Sequence, residues 1–215
     1  MVKQRPWRWC SVVTVGFIAE GDSETILLKD DSFTNFLASL NISCNKDLVI
    51  NAQGKNNLYN PNADFNTIER KVNGWIQLLQ DKGAGIIIFL IDFDNSDPCF
   101  TQFKSKIFHT KDNHIVIAKQ ALEAWYLADH KSLSNYLQKK INEILQPESF
   151  LVPFDEIKAL KLQYQQRGIS DKKFLTKDMI KSGFSLANAA SHSECPSALY
   201  FYTKLKSLNP ANTNF

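Results

Sequence analysis

The chain is poor in cysteine and has no closely spaced pair of them. Cys10, Cys44, Cys99 and Cys195 stand far apart with no CxxC, which argues against a zinc module or a disulfide framework and fits the reduced thiols of a cytoplasmic protein. Strong charge of one sign is also missing. The 25 Lys and Arg against 22 Asp and Glu leave a formal +3, so an anionic partner such as nucleic acid is permitted without being demanded. No apolar run reaches the ~20 residues of a membrane span. Lys3, Arg5 and Arg8 ahead of the apolar stretch 9–19 imitate a signal peptide, but no small-x-small cleavage site follows, and the stretch reads as a buried strand. Internal repeats and low-complexity linkers are absent too.

What is present is core material. With 215 residues, 44% of them hydrophobic, and with 15 Phe and 4 Trp, the chain is long enough for one well-cored domain spanning 1–215. Residues 11–18 read as a strand, followed by a helix capped by Ser23 and running to about 40. A short strand at 47–50 comes next. Ile68, Val72, Trp75, Ile76 and Leu79 then mark an amphipathic helix ending at Lys82-Gly83. The unbroken apolar run 85–91 predicts a central parallel strand buried on both faces. A helix opened by Asn95 or Ser96 runs to about 107, and 114–118 is a fourth strand. This alternation predicts an α/β core over about 9–130: a four-stranded, mainly parallel sheet flanked by helices. Beyond it a helical C-terminal portion, about 131–208, is expected, with helices over 122–145 (breaking near 129–132), 154–166 and 196–208.

The stretch from Val15 to Glu24, VGFIAEGDSE, has the glycine spacing of a phosphate-binding loop, Gly16 and Gly21 followed by Ser23. Where that loop needs lysine, this one has Asp22, between Glu20 and Glu24. A second acidic group, Asp92, Asp94 and Asp97, follows the central strand. Two such clusters at strand ends repel one another unless cations neutralise them, and an all-oxygen donor set suits magnesium or manganese. The competing reading is that Asp22 and Asp97 are ordinary helix caps. Lys119, at the end of the fourth strand, is placed to meet a phosphate.

These motifs carry a family resemblance. Glu20-Gly21-Asp22-Ser23-Glu24 resembles the EGxTE-type first motif, and Leu90-Ile91-Asp92-Phe93-Asp94 the DxD motif, of the Toprim domain shared by topoisomerases, primases and the overcoming-lysogenization-defect nucleases. Ser23 departs from the Thr of many members. Ala121-Leu122-Glu123-Ala124-Trp125-Tyr126-Leu127-Ala128-Asp129 is similar to the E-A-W-x-L-A-D helix of small bacterial Toprim-like proteins associated with phage defence, where a Cys-Pro-Ser segment like Cys195-Pro196-Ser197 also recurs.

The resemblance implies a Toprim-like, Rossmannoid fold and a metal-dependent nuclease with one or two magnesium or manganese ions. Glu20 would be the general acid or base, close to metal, and Asp92 and Asp94 metal ligands. Glu24 either completes the site or points along the first helix. Glu123 and Asp129 match the branch motif; six apart on a helix, they diverge by roughly 120°, and Glu123 is better placed for the site. The implied partners are a DNA or tRNA substrate and, since this chain has no Walker motif, a separate ATPase; a second copy of the chain is another. Two other readings stand beside this one: a non-catalytic metal- or partner-binding subunit, and a phosphotransfer or phosphoester hydrolase on the same scaffold.

Overall fold

The computed structural model describes residues 12–59, 65–94, 99–107 and 113–209. Five strands form one parallel sheet: β1 (Val13–Ala19), β2 (Ile42–Ser43), β3 (Val49–Asn51), β4 (Ile86–Asp92) and β5 (Asn113–Ala118). β4 lies between β1 and β5, while β2 and β3 share the other edge of β1, with Val13 opposite Ile42 and Phe17 opposite Val49. The sheet therefore has one strand more than the four expected. β2 is two residues long, too short to display any alternation in the sequence, and the strand expected at 47–50 begins only at Val49, because a 3-10 turn, Lys46–Leu48, takes its first two residues.

Alternate residues of the central strands feed two cores. Val15, Phe17, Ala19, Ile88 and Leu90 belong to one; Ile18, Ile87, Phe89 and Ile91 belong to the other. The second core is covered by α3 (Phe65–Asp81) and α4 (Phe100–Lys106), through residues such as Val72, Leu79 and Phe103. Gly16 is needed here for close approach. A Cβ at this position would stand 3.1 Å from the Ala84 Cβ and 3.2 Å from the Leu79 Cδ1. Gly16→Ala is expected to overpack this face and lower stability by about 1–3 kcal/mol, read as a lower urea midpoint; an unchanged midpoint would show that α3 yields freely.

The first core is covered by α1 (Asp22–Leu28), α2 (Asp31–Ser39) and the C-terminal helices. The single helix expected from Ser23 to about 40 is two, because Asp30 caps a fresh start by accepting from the Ser32 amide. Ser23 is not the cap; it is buried in the first turn of α1, and Gly21 is the capping residue. At the middle of the C-terminal layer is α5 (Leu122–Ala128), buried at all seven positions. A helix enclosed on every side must be apolar nearly all round, so Glu123 within it demands explanation. Around α5 pack α6 (His130–Leu137), α7 (Pro153–Gln165) and α9 (Leu186–Ser191). α10 (Pro196–Ser207) lies on β5 and α8 (Lys172–Lys181) on α1. Residues 138–145, expected to be helical, are not, while α8 and α9 were not foreseen. Among the described residues no helix is long and apolar enough to cross a membrane.

Candidate functional site

Because the strands are parallel, the carboxyl ends of β1, β4 and β5 open along one edge of the sheet, where ligands of such sheets gather. Glu20 follows β1 directly. Its amide donates to the Leu90 carbonyl at 2.9 Å, and its Oε2 accepts the Asp92 amide at 3.0 Å. Asp92 ends β4, and its Oδ1 accepts the Leu122 amide at 2.9 Å, at the start of α5. Glu24 turns back so that Oε2 accepts the Gly21 amide at 3.0 Å. Three main-chain amides from three elements thus each fix one oxygen of a carboxylate. Gly21 has extended backbone, φ −142°, so its value lies in space: a Cβ would stand 3.3 Å from Glu24 Oε2.

Two further carboxylates complete the group. Glu123 is 1% exposed and reaches the site from the first turn of α5. Asp94 is exposed and lies in the left-handed region at φ 51°, where its amide donates to the carbonyl of Gln120, itself at φ 66°. Each such non-glycine residue costs about 1 kcal/mol. Both residues lie just beyond the ends of β4 and β5.

Burial and mutual repulsion govern the charges. Burial pushes Glu20 up to about 7, against the pull of Lys55 and with help from Glu24. Burial also carries Glu24 up to about 7, with Glu123 adding to the effect. Asp92 is raised well above the usual carboxylate range by burial and then by Glu24, Glu123 and Glu20. Glu123 is raised by burial, in opposition to Lys172. Such cross-effects among four side chains indicate a common field at the sheet edge.

Positive charge comes from residues outside the sequence motifs. Lys55 Nζ pairs with Asp94 Oδ2 at 2.8 Å and donates to the Phe93 carbonyl. Lys172 Nζ stands 3.2 Å from Glu123 Oε2, yet that oxygen has no partner in hydrogen-bond geometry. Burial draws the Lys172 ammonium down, and Glu123, Asp92 and Asp94 together hold it above its ordinary value. Lys173 pairs with Asp22 at 2.7 Å, which keeps that carboxyl low, and Asn51 Nδ2 donates to Asp22 at 2.7 Å. Between these groups lies a cleft of about 360 Å³, with Glu20, Glu24, Asp92 and Asp94 on one side and Asp171, Lys172 and Lys173 on the other. A sequence signal for the lysines did exist: Lys172 and Lys173 open α8 just after its Asp171 cap, where cations oppose the helix dipole, so another partner had to hold them.

The donor set fits a hard divalent cation in kind: it is all oxygen and overcharged. In their present rotamers, however, no three His, Cys, Asp or Glu side chains among the described residues close around one point. The reason is visible in the contacts, since Asp94 and Glu123 are drawn toward lysines.

Other candidates lie elsewhere. Asp129 caps α6 and accepts from the Ser132 and Ser185 amides and the Asn188 amide group, so it serves as a structural joint away from the cleft. Lys119 is exposed and lines a different cavity. Asp97 lies outside the described residues, as does His109. Trp125 is fully buried core. His192 is occupied by the Ile144 carbonyl and the Glu194 amide.

No protein-family model matches the chain, and no curated protein matches it. Among solved structures, a match is found to the C-terminal region of the Burkholderia pseudomallei OLD protein, at 14% identity, over 90% of this chain and 98% of that one, with a TM-score of 0.40.

Proposed function

We propose that the chain is a metal-dependent nuclease of the Toprim kind, cleaving phosphodiesters of DNA or tRNA as the effector of a phage-defence system in which a separate ATPase takes part. The observation that carries this reading is the convergence of Glu20, Glu24, Asp92, Asp94 and Glu123 at one sheet edge, with three of them held by main-chain amides and more negative charge than nearby lysines offset. The motif resemblance supports it independently.

Glu20, Asp92 and Asp94 would hold the ion, with Glu24 and Glu123 behind them. Bound there, magnesium or manganese would neutralise the phosphate and make water more acidic. Without metal, burial holds Glu20 at about 7; a cation beside it would draw that value down and leave the carboxylate ionised, able to take a proton from the attacking water. The Asp92 amide fixes one Glu20 oxygen and so aims the other. Lys172 and Lys173, exposed at the cleft wall, supply positive charge for the strand's phosphates.

The same ion pairs favour a second reading, a non-catalytic pocket already partly neutralised by its own lysines. Incubating supercoiled DNA and total tRNA with the protein in magnesium, manganese or chelator separates the two. Cleavage that needs metal and disappears in Glu20→Gln is expected. Metal binding without cleavage would favour the second reading, and neither binding nor cleavage would sink the first.

A further inference from the structure

A second cavity, of about 390 Å³, lies at the outer edge of β5 between α4 and α10. It is similar in size to the acidic cleft, and Pro196 and Ser197 of the Cys-Pro-Ser segment line it. Its walls are largely apolar, with Ile115 and Ile117 behind and Phe93, Phe100 and Tyr200 as aromatic surfaces. Phe100 and Tyr200 are each 44% exposed and so present open ring surface to the cavity they line. Phe93 and Phe100 meet edge to face at 5.5 Å, and Lys104 lies 5.8 Å from the centre of the Tyr200 ring. Lys104 and Lys119 also line this cavity.

One polar group reaches it from the interior. Glu148 is 3% exposed and lines the cavity. Its Oε1 accepts from the amide and hydroxyl of Ser197 and from the Cys195 thiol. Its Oε2 is enclosed and has no hydrogen-bond partner among the described residues. Buried carboxylate oxygens without donors are unfavourable, and a turn of the Glu148 side chain toward the cavity it lines would bring this one to an N–H or O–H group of a ligand. Flat stacking surfaces, a buried acceptor and two lysines describe a particular chemistry.

We propose that this cavity binds a nucleobase: the ring lies against Phe100 and Tyr200, an N–H edge donates to Glu148, and the attached phosphate meets Lys104 and Lys119. Guanine fits best, because its N1–H and N2–H₂ donors lie side by side, whereas the uracil N–H is flanked by carbonyls that a carboxylate repels. Phe93, on the wall of this cavity, separates Asp92 and Asp94 in the chain, and a base of a strand held at those carboxylates is the occupant that the nuclease reading supplies. In that form the proposal rests on the nuclease reading; a free mononucleotide would use the same contacts without it.

Calorimetric titration of the full chain in chelator tests the idea apart from cleavage. GMP, AMP, CMP, UMP, a short single-stranded oligonucleotide and its paired duplex are the probes. Saturable binding is expected, with GMP at least tenfold tighter than UMP and the single strand tighter than the duplex. Phe100→Ala and Tyr200→Ala, at exposed positions, should each weaken binding at least tenfold while the melting temperature holds. Glu148→Gln should abolish the GMP preference. Binding of GMP with no preference for single strand identifies a free-nucleotide site, and binding of the strand alone identifies a substrate subsite; both uphold the base pocket. No saturable binding by any probe, or affinities unmoved by Phe100→Ala and Tyr200→Ala, would overturn it. Base binding without metal-dependent cleavage would retire the nuclease reading alone.

Discussion

Asp92→Asn is expected to remove metal-dependent cleavage, by 100-fold or more, and at the same time to make the protein more stable above neutral pH. The amide keeps the oxygen that accepts the Leu122 N–H, so the turn into α5 survives. What disappears is a buried negative charge facing Glu24, Glu123 and Glu20. The pH dependence follows from the same groups. Glu20 and Glu24, at about 7 in the fold against 4.5 for ordinary glutamates, make the native state bind more protons than the unfolded chain between those values. Stability therefore falls as pH rises from about 4.5 through 7. Melting temperatures at pH 5 and pH 8 in chelator measure it. The Asp92→Asn gain should be larger at pH 8 than at pH 5, and manganese should recover stability in the parent protein but less in the variant. A parent protein that is more stable at pH 8 than at pH 5 in chelator would contradict this electrostatic picture.

Trp125→Ala should have the largest effect on the fold. The side chain is fully buried in α5, its ring centre is 5.7 Å from that of Phe201, and its indole N–H donates to Ser197 Oγ at 2.7 Å. Removing it takes away a large apolar surface, leaves a cavity and frees Ser197, which also serves Glu148. Truncations of this size cost about 3–5 kcal/mol, a large share of the 5–15 kcal/mol typical of a domain, or about 10 °C in melting temperature for a chain of this length. Trp125→Phe, which keeps most of the volume and loses the donor, should lose about 1–2 kcal/mol. Urea unfolding resolves the two. A loss under 1 kcal/mol for Trp125→Ala would mean that α5 is not the centre of the C-terminal layer.

The sequence was most legible where periodicity is long. β4 is an unbroken apolar run and α3 a regular amphipathic stripe, and both occur where expected. Short elements left no such trace: two residues are enough for β2, because hydrogen bonds to β1 define it. α8 was obscured because four of its ten residues are lysines that dilute its apolar periodicity, and α9 because its six residues are mostly small.

The sequence by itself determined an α/β chain whose parallel strands end in acidic residues, with Glu20, Asp92 and Asp94 next to strand ends; hydrophobic periodicity and local turn chemistry act over a few residues and can be read along the chain. Only the tertiary structure decided which charges meet. It brought Glu123 up behind the cleft against Lys172 and made Asp129 a cap joining α6 to the start of α9. It set Lys55 and Lys172 against Asp94 and Glu123, and it left Glu148 Oε2 enclosed without a donor among the described residues. Electrostatics and desolvation depend on distance through space and on exclusion of water, and neither quantity is written in the order of the residues.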